Sequence, residues 1–243
     1  MNAIVTLSEL NDLKLTTITQ LAAVATLTVI CDVKYVSINE SKNTWSQIAD
    51  KLQVANYQEH LRAYGHKVDR FNGKWSNNPA KLAALLSAAA ADGPVWIFED
   101  DVYCREWESF LQAYASVTAD LITSTTPVEN YPWFDQRGWL VGDRRHVSHG
   151  VAGLYAFRIS PQAARRVVSA LREEGSVSHH EVFVPWAVAS AGMAIVPLLP
   201  VHAATMWHNA AHNTSMCLRE SECKDGSLRG AQGDLFGSSV SFS

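Results

Sequence analysis

Pro94-Val95-Trp96-Ile97-Phe98-Glu99-Asp100-Asp101-Val102 is the stretch that decides how this chain folds. Asp92-Gly93-Pro94 stops whatever helix precedes it. Val95 to Phe98 is short and wholly apolar, which fits a central strand covered on both faces. Three carboxylates stand at its carboxyl end. Adjacent acids repel one another, and a chain gains nothing by placing them at the mouth of a hydrophobic strand. A divalent cation such as Mn²⁺ or Mg²⁺ relieves that repulsion, and completes its shell with phosphate oxygens and water. In extended backbone alternate side chains share a face. Glu99 and Asp101 therefore point one way and Asp100 the other. The alternative is a solvated turn in which Asp101 caps the next element; the apolar Val102-Tyr103 beyond it counts against this.

Outward from this strand, β-rich runs alternate with helical ones. On the amino side, Ala3–Leu7 reads as a strand and Leu13–Leu27 as a helix. Lys34–Ile38 reads as a strand, Thr44–Tyr64 as a helix and His66–Phe71 as a short strand. Asn77-Asn78-Pro79 opens a helix that runs through Lys81 to about Ala91. The carboxyl side continues with a helix from Glu106 to Val117 and a strand from Asp120 to Ser124. A long irregular stretch, Thr125–His149, holds Trp133, Trp139, Arg144 and Arg145. Gly150–Ile159 returns to strand, Ser160-Pro161 caps a helix over Gln162–Glu173, and Glu181–Ala191 is the next helix. Met193–Leu199 is the last clear strand. Repeated β-then-α units predict a single Rossmann-like α/β domain over 1–212, with a mainly parallel sheet and helices on both faces. A Ser/Gly-rich, partly disordered tail is expected over 213–243. Ligands of such sheets bind beyond the carboxyl ends of the strands, which is where the acids fall.

Composition narrows the partners. The 243 residues are 47% hydrophobic and 18% charged, ordinary for a folded chain. Twenty basic and 24 acidic residues give a net charge of −4, so nucleic acid is not expected as a partner. No CxxC pair occurs among Cys31, Cys104, Cys217 and Cys223. Cys217 and Cys223 could pair in an oxidising compartment, but a reduced, cytoplasmic chain is the simpler expectation. Neither a signal peptide nor a membrane-spanning stretch is expected.

PVWIFEDDV resembles the metal-binding strand end of GT-A glycosyltransferases, and most of all glycosyltransferase family 25, the lipopolysaccharide and collagen glycosyltransferase type. Three further stretches agree in order: His66–Trp75, Gly150–Leu171 and His180–Pro200. The likeness covers roughly residues 3 to 202. It implies a GT-A fold and transfer of a sugar from a nucleoside-diphosphate sugar to a hydroxyl of a glycan or glycoconjugate, with inversion. By position, Glu99 would face the donor ribose or nucleotide and Asp101 would bind the metal. Asp100 would support the site or reach the donor sugar. Gly150 and Gly153 match the loop where the acceptor approaches. Glu181 matches the general base, with His180 as the substitute.

The residues themselves suit that chemistry. A departing diphosphate needs its charge stabilised, and a metal supplies that as a Lewis acid. A base must take the proton of the attacking hydroxyl. Glu181 stands near a predicted helix N-terminus, where the dipole favours the carboxylate. The resemblance to GT-A enzymes, in which a C-terminal histidine often completes the metal shell, implies a third ligand there: His208 first, then His202. Two rivals remain. A sugar nucleotidyltransferase usually carries a glycine-rich loop after its first strand, and Ser8-Glu9-Leu10-Asn11-Asp12 has no glycine. A catalytically degenerate glycan- or partner-binding module is opposed by the intact Glu99-Asp100-Asp101.

Overall fold

A computed structural model describes residues 1–33, 43–56, 79–100, 102–104, 106–126, 144–174, 180–199, 202 and 217–219. The expected strands Lys34–Ile38 and His66–Phe71 lie outside these residues. So do Asp101, His208, Asn77, Trp133 and Trp139.

Seven strands form one sheet: β1 (Asn2–Leu7), β2 (Thr26–Asp32), β3 (Leu52–Ala55), β4 (Val95–Glu99), β6 (Leu121–Thr126), β7 (Val151–Ile159) and β8 (Ile195–Pro197). Their order is β3-β2-β1-β4-β7-β6-β8. β7 alone runs against its neighbours β4 and β6; the other pairings are parallel. A separate ribbon pairs β5 (Val102–Cys104) with β9 (Cys217–Arg219). The helices are α1 (Asp12–Val24), α2 (Pro79–Ala90), α3 (Trp107–Ala113), α4 (Pro161–Glu173) and α5 (His180–Ala189). Short 3₁₀ turns cover Asn43–Ile48 and Arg144–His149.

Side-chain alternation splits the core into two layers. Ile4, Val95 and Ile97 pack with Leu85 of α2, Val167 of α4 and Phe183 of α5. Val5, Trp96 and Phe98 pack with Leu21 of α1 and Phe110 of α3. The sheet is thus covered on both faces, as the wholly apolar Val95–Phe98 requires. The rings of Trp96 and Phe98 lie stacked 5.6 Å apart, and Phe110 and Tyr114 close around Trp96 at 4.8 and 5.4 Å. α4 begins as its sequence demands: the Ala163 N–H donates to Ser160 Oγ at 3.1 Å, with Pro161 in the first turn.

Two expected helices change. Leu13–Leu27 ends earlier, at Val24: Ala25 turns extended (φ −141°, ψ 152°) and Thr26–Asp32 becomes β2. The β-branched Thr26, Thr28, Val29 and Ile30 prefer a pleated strand beside β1 over a helix, and Val29 and Ile30 are buried there between β1 and β3. Thr44–Tyr64 is not one helix either. Its start is the 3₁₀ turn, and Leu52–Ala55 pairs in parallel with Val29–Asp32 as the edge strand. Apolar spacing near the helical period misleads here, because a turn followed by a short strand reproduces it. Cys217–Arg219, within the expected tail, forms β9.

Candidate functional site at the carboxyl edge of the sheet

β1 and β4 run side by side, so their ends deliver Ser8 and the first two acids to one place. Thr6 is in register with Glu99, and the Asp100 N–H donates to the Thr6 carbonyl at 3.1 Å. β7 enters from the same edge. Phe98 pairs with Ala156, so the first residues of β7, from Val151 to Gly153, reach beyond the end of β4. The first turns of α2 and α5 meet there too, for Lys81 Nζ lies 3.2 Å from His180 Nε2.

Alternation sends the first two acids to opposite faces. Glu99 turns toward α2, where its Oε1 pairs with Lys81 Nζ at 2.5 Å. Lys81 is fully buried and Glu99 keeps a fifth of its side chain in solvent. The ammonium has only protons to give, so His180 Nε2 accepts and its other ring nitrogen carries the proton. Asp100 turns toward α1. One oxygen, Oδ2, accepts from the Ser8 N–H (2.8 Å), Ser8 Oγ (2.6 Å) and Lys14 Nζ (2.9 Å). This carboxylate fastens the turn between β1 and α1, and Asn11 completes that turn by accepting from the Lys14 N–H.

Glu181 is buried in the first turn of α5. Gly150 has φ +79°, a conformation that side chains rarely adopt, and so sets the turn into β7. Gly153 sits opposite Ser124, where the β6–β7 register shifts. A Cβ there would come within 2.1 Å of Ser124 Oγ and 2.5 Å of the Tyr155 ring. The glycine lets Ser124 Oγ and Tyr155 Oη meet at 2.7 Å and the two strands close up.

His202 lies apart from these residues. It packs on the α3 face, with ring contacts to Phe110 and Tyr114. Its Nδ1 is 2.8 Å from Tyr114 Oη, which already accepts from the Leu199 N–H. Burial pushes the pKa of His202 below its ordinary 6.5. Among the described residues no cluster of three or more His, Cys, Asp or Glu side chains is arranged as metal ligands.

No family model and no characterised protein matches the sequence. The fold, by contrast, is shared with a solved structure. The apo structure of WbbM, a bifunctional glycosyltransferase, superposes with a TM-score of 0.56 at 8% identity, over 96% of this chain and 50% of WbbM. The fold is GT-A. The galactosyltransferase LgtC, in complex with donor and acceptor sugar analogues, is less alike in shape: TM-score 0.48, 9% identity, over 98% of this chain and 97% of LgtC. So is mouse xyloside xylosyltransferase 1, at TM-score 0.45 and 7% identity, over 90% of this chain and 97% of that one.

On this GT-A frame the structure brings together Glu99, Asp100, His180, Gly150 and Gly153, with Glu181 beside His180. It sets His202 on the α3 face, opposite the face that holds Glu99, Lys81 and His180. Sequence reasoning passed over Lys81, Lys14 and Ser8. Lys81 had a signal: it is the one charged residue in the helix PAKLAALLSAAA, and a lone lysine on an apolar helix must find a partner when it is buried. Lys14 and Ser8 had none, because a lysine in a mixed helix and a serine in a turn are ordinary surface residues.

Proposed function

We propose that this chain is a metal-dependent, inverting glycosyltransferase of the family 25 type, which moves a sugar from a nucleoside-diphosphate sugar to a hydroxyl of a glycan or glycoconjugate. The observation that carries the reading is the meeting of Glu99, Asp100 and the first turns of α2 and α5 at the carboxyl edge of a GT-A sheet. That edge is where ligands of open α/β sheets bind.

The metal must be matched to ligands. Glu99 and Asp100 each face a lysine, and His202 is engaged with Tyr114 on the α3 face. Ligation in this reading falls to Asp101 and His208. The cation supplies charge stabilisation to the departing diphosphate. Glu99, oriented by Lys81, faces the nucleotide. Asp100 takes the supporting role: through Ser8 and Lys14 it fixes the β1–α1 turn that walls the nucleotide. Glu181 accepts the proton from the attacking hydroxyl. His180 is the weaker candidate, because its Nε2 lone pair is already directed at the Lys81 ammonium. Gly150, at the turn into β7, and Gly153 stand in this reading where an acceptor approaches, although the space beside Gly153 is taken by Ser124 and Tyr155.

A donor-hydrolysis screen across common nucleotide sugars with Mn²⁺ tests the reading. Release of nucleoside diphosphate from at least one donor is expected. Metal-independent glycan binding with no donor turned over would favour a binding module instead.

A further inference from the structure

We propose that Cys104 and Cys217 are partners in a reversible disulfide that clips the C-terminal segment to the strand leaving the acidic turn. Each cysteine is far from the other in sequence, yet the β5–β9 ribbon sets them directly opposite one another in antiparallel register. Opposed residues of an antiparallel pair have Cα atoms about 4.5 or 5.5 Å apart. Both spacings fall inside the range of about 4.4–6.8 Å that a disulfide spans. Cys31, the other described cysteine, has Leu7 and Val54 as its register partners and no cysteine opposite it.

The consequence lies in how short this ribbon is. Its ladder is three residues long, and a two-stranded ribbon of that length is marginal in water. β5 begins two residues beyond Asp100, so a bond at Cys104 ties the C-terminal segment to the edge where the acids stand. Cys104 is reduced and buried among the α3-side core residues. Opening of the short ladder is therefore what admits an oxidant. With oxidised glutathione, one cysteine thiolate attacks the small disulfide and releases one glutathione thiol. The second cysteine then attacks the mixed disulfide and releases the other. Two cysteine thiols are oxidised, one glutathione disulfide is reduced to two thiols, and the protein becomes two hydrogens lighter.

The test uses the full chain, folded and without denaturant. It is incubated with oxidised glutathione, its remaining thiols are alkylated, and it is digested without reductant for mass spectrometry. A Cys104–Cys217 linked peptide is expected in the wild type and in Cys223→Ser, reversed by dithiothreitol and lost in Cys104→Ser and Cys217→Ser. A Cys217–Cys223 link, or full alkylation of Cys104 and Cys217 after oxidation of both wild type and Cys223→Ser, would overturn the proposal.

Discussion

Lys81→Met removes the ammonium that faces Glu99 and leaves the carboxylate against an apolar helix. The two atoms stand 2.5 Å apart, with the lysine side chain 1% and the glutamate side chain 20% exposed. Deleting one partner of a buried pair costs about 3–5 kcal/mol. Glu99 keeps some contact with water, so the expected loss is smaller, about 2–4 kcal/mol. For a chain of this size that is roughly 5–15 °C in Tm. Thermal melts followed by circular dichroism measure it, and Glu99→Gln and the double variant complete a cycle. If the pair is what holds Lys81, the double variant is more stable than the sum of the single losses predicts, by at least about 1 kcal/mol. Single losses that simply add, to within about 0.5 kcal/mol, would refute the coupling.

The same edge and its surroundings can be probed at three more positions. Gly153→Ala drives a methyl group against Ser124 and Tyr155 and is expected to lose about 1–3 kcal/mol in urea melts; Ser124→Ala in the same chain recovers part of it. Burial lowers the pKa of His202, so the unfolded state takes up the proton first as pH falls through 6.5. Stability is complete above that value and declines below it, and His202→Phe is expected to flatten the decline in urea midpoints measured between about pH 7.5 and pH 5.5. Glu181→Gln is expected to lower turnover by about 10²-fold or more with donor affinity kept. Wild-type turnover would move the base elsewhere, with His180 next.

The central strand was legible because four apolar residues between a Gly-Pro stop and three acids leave little choice of place. The Ser160-Pro161 start of α4 was legible for the same reason, since cap chemistry is local. What stayed hidden depends on neighbours far along the chain. Thr26–Asp32 reads as the end of a helix until β1 and β3 flank it, and Leu52–Ala55 reads as helix until Val29 pairs with Leu52. At the site, alternation foretold that Glu99 and Asp100 diverge. It did not reveal that each meets a lysine, since Lys81 and Lys14 arrive from helices whose docking is set by the two core layers. The glycine at 153 was noticed for its place in a resemblance, whereas its close fit against Ser124 comes from a shift in strand register that no local pattern announces.

A cation that links Asp101 to a donor diphosphate is the centre of the proposed chemistry. Calorimetric titration of the wild type and Asp101→Asn with UDP-, GDP- and CMP-sugars, with and without Mn²⁺, addresses it directly. The prediction is binding of a diphosphate sugar by the wild type only when Mn²⁺ is present, and none by Asp101→Asn although its circular dichroism is unchanged. Equal donor binding with and without metal, or an Asp101→Asn variant that binds as the wild type does, would contradict it.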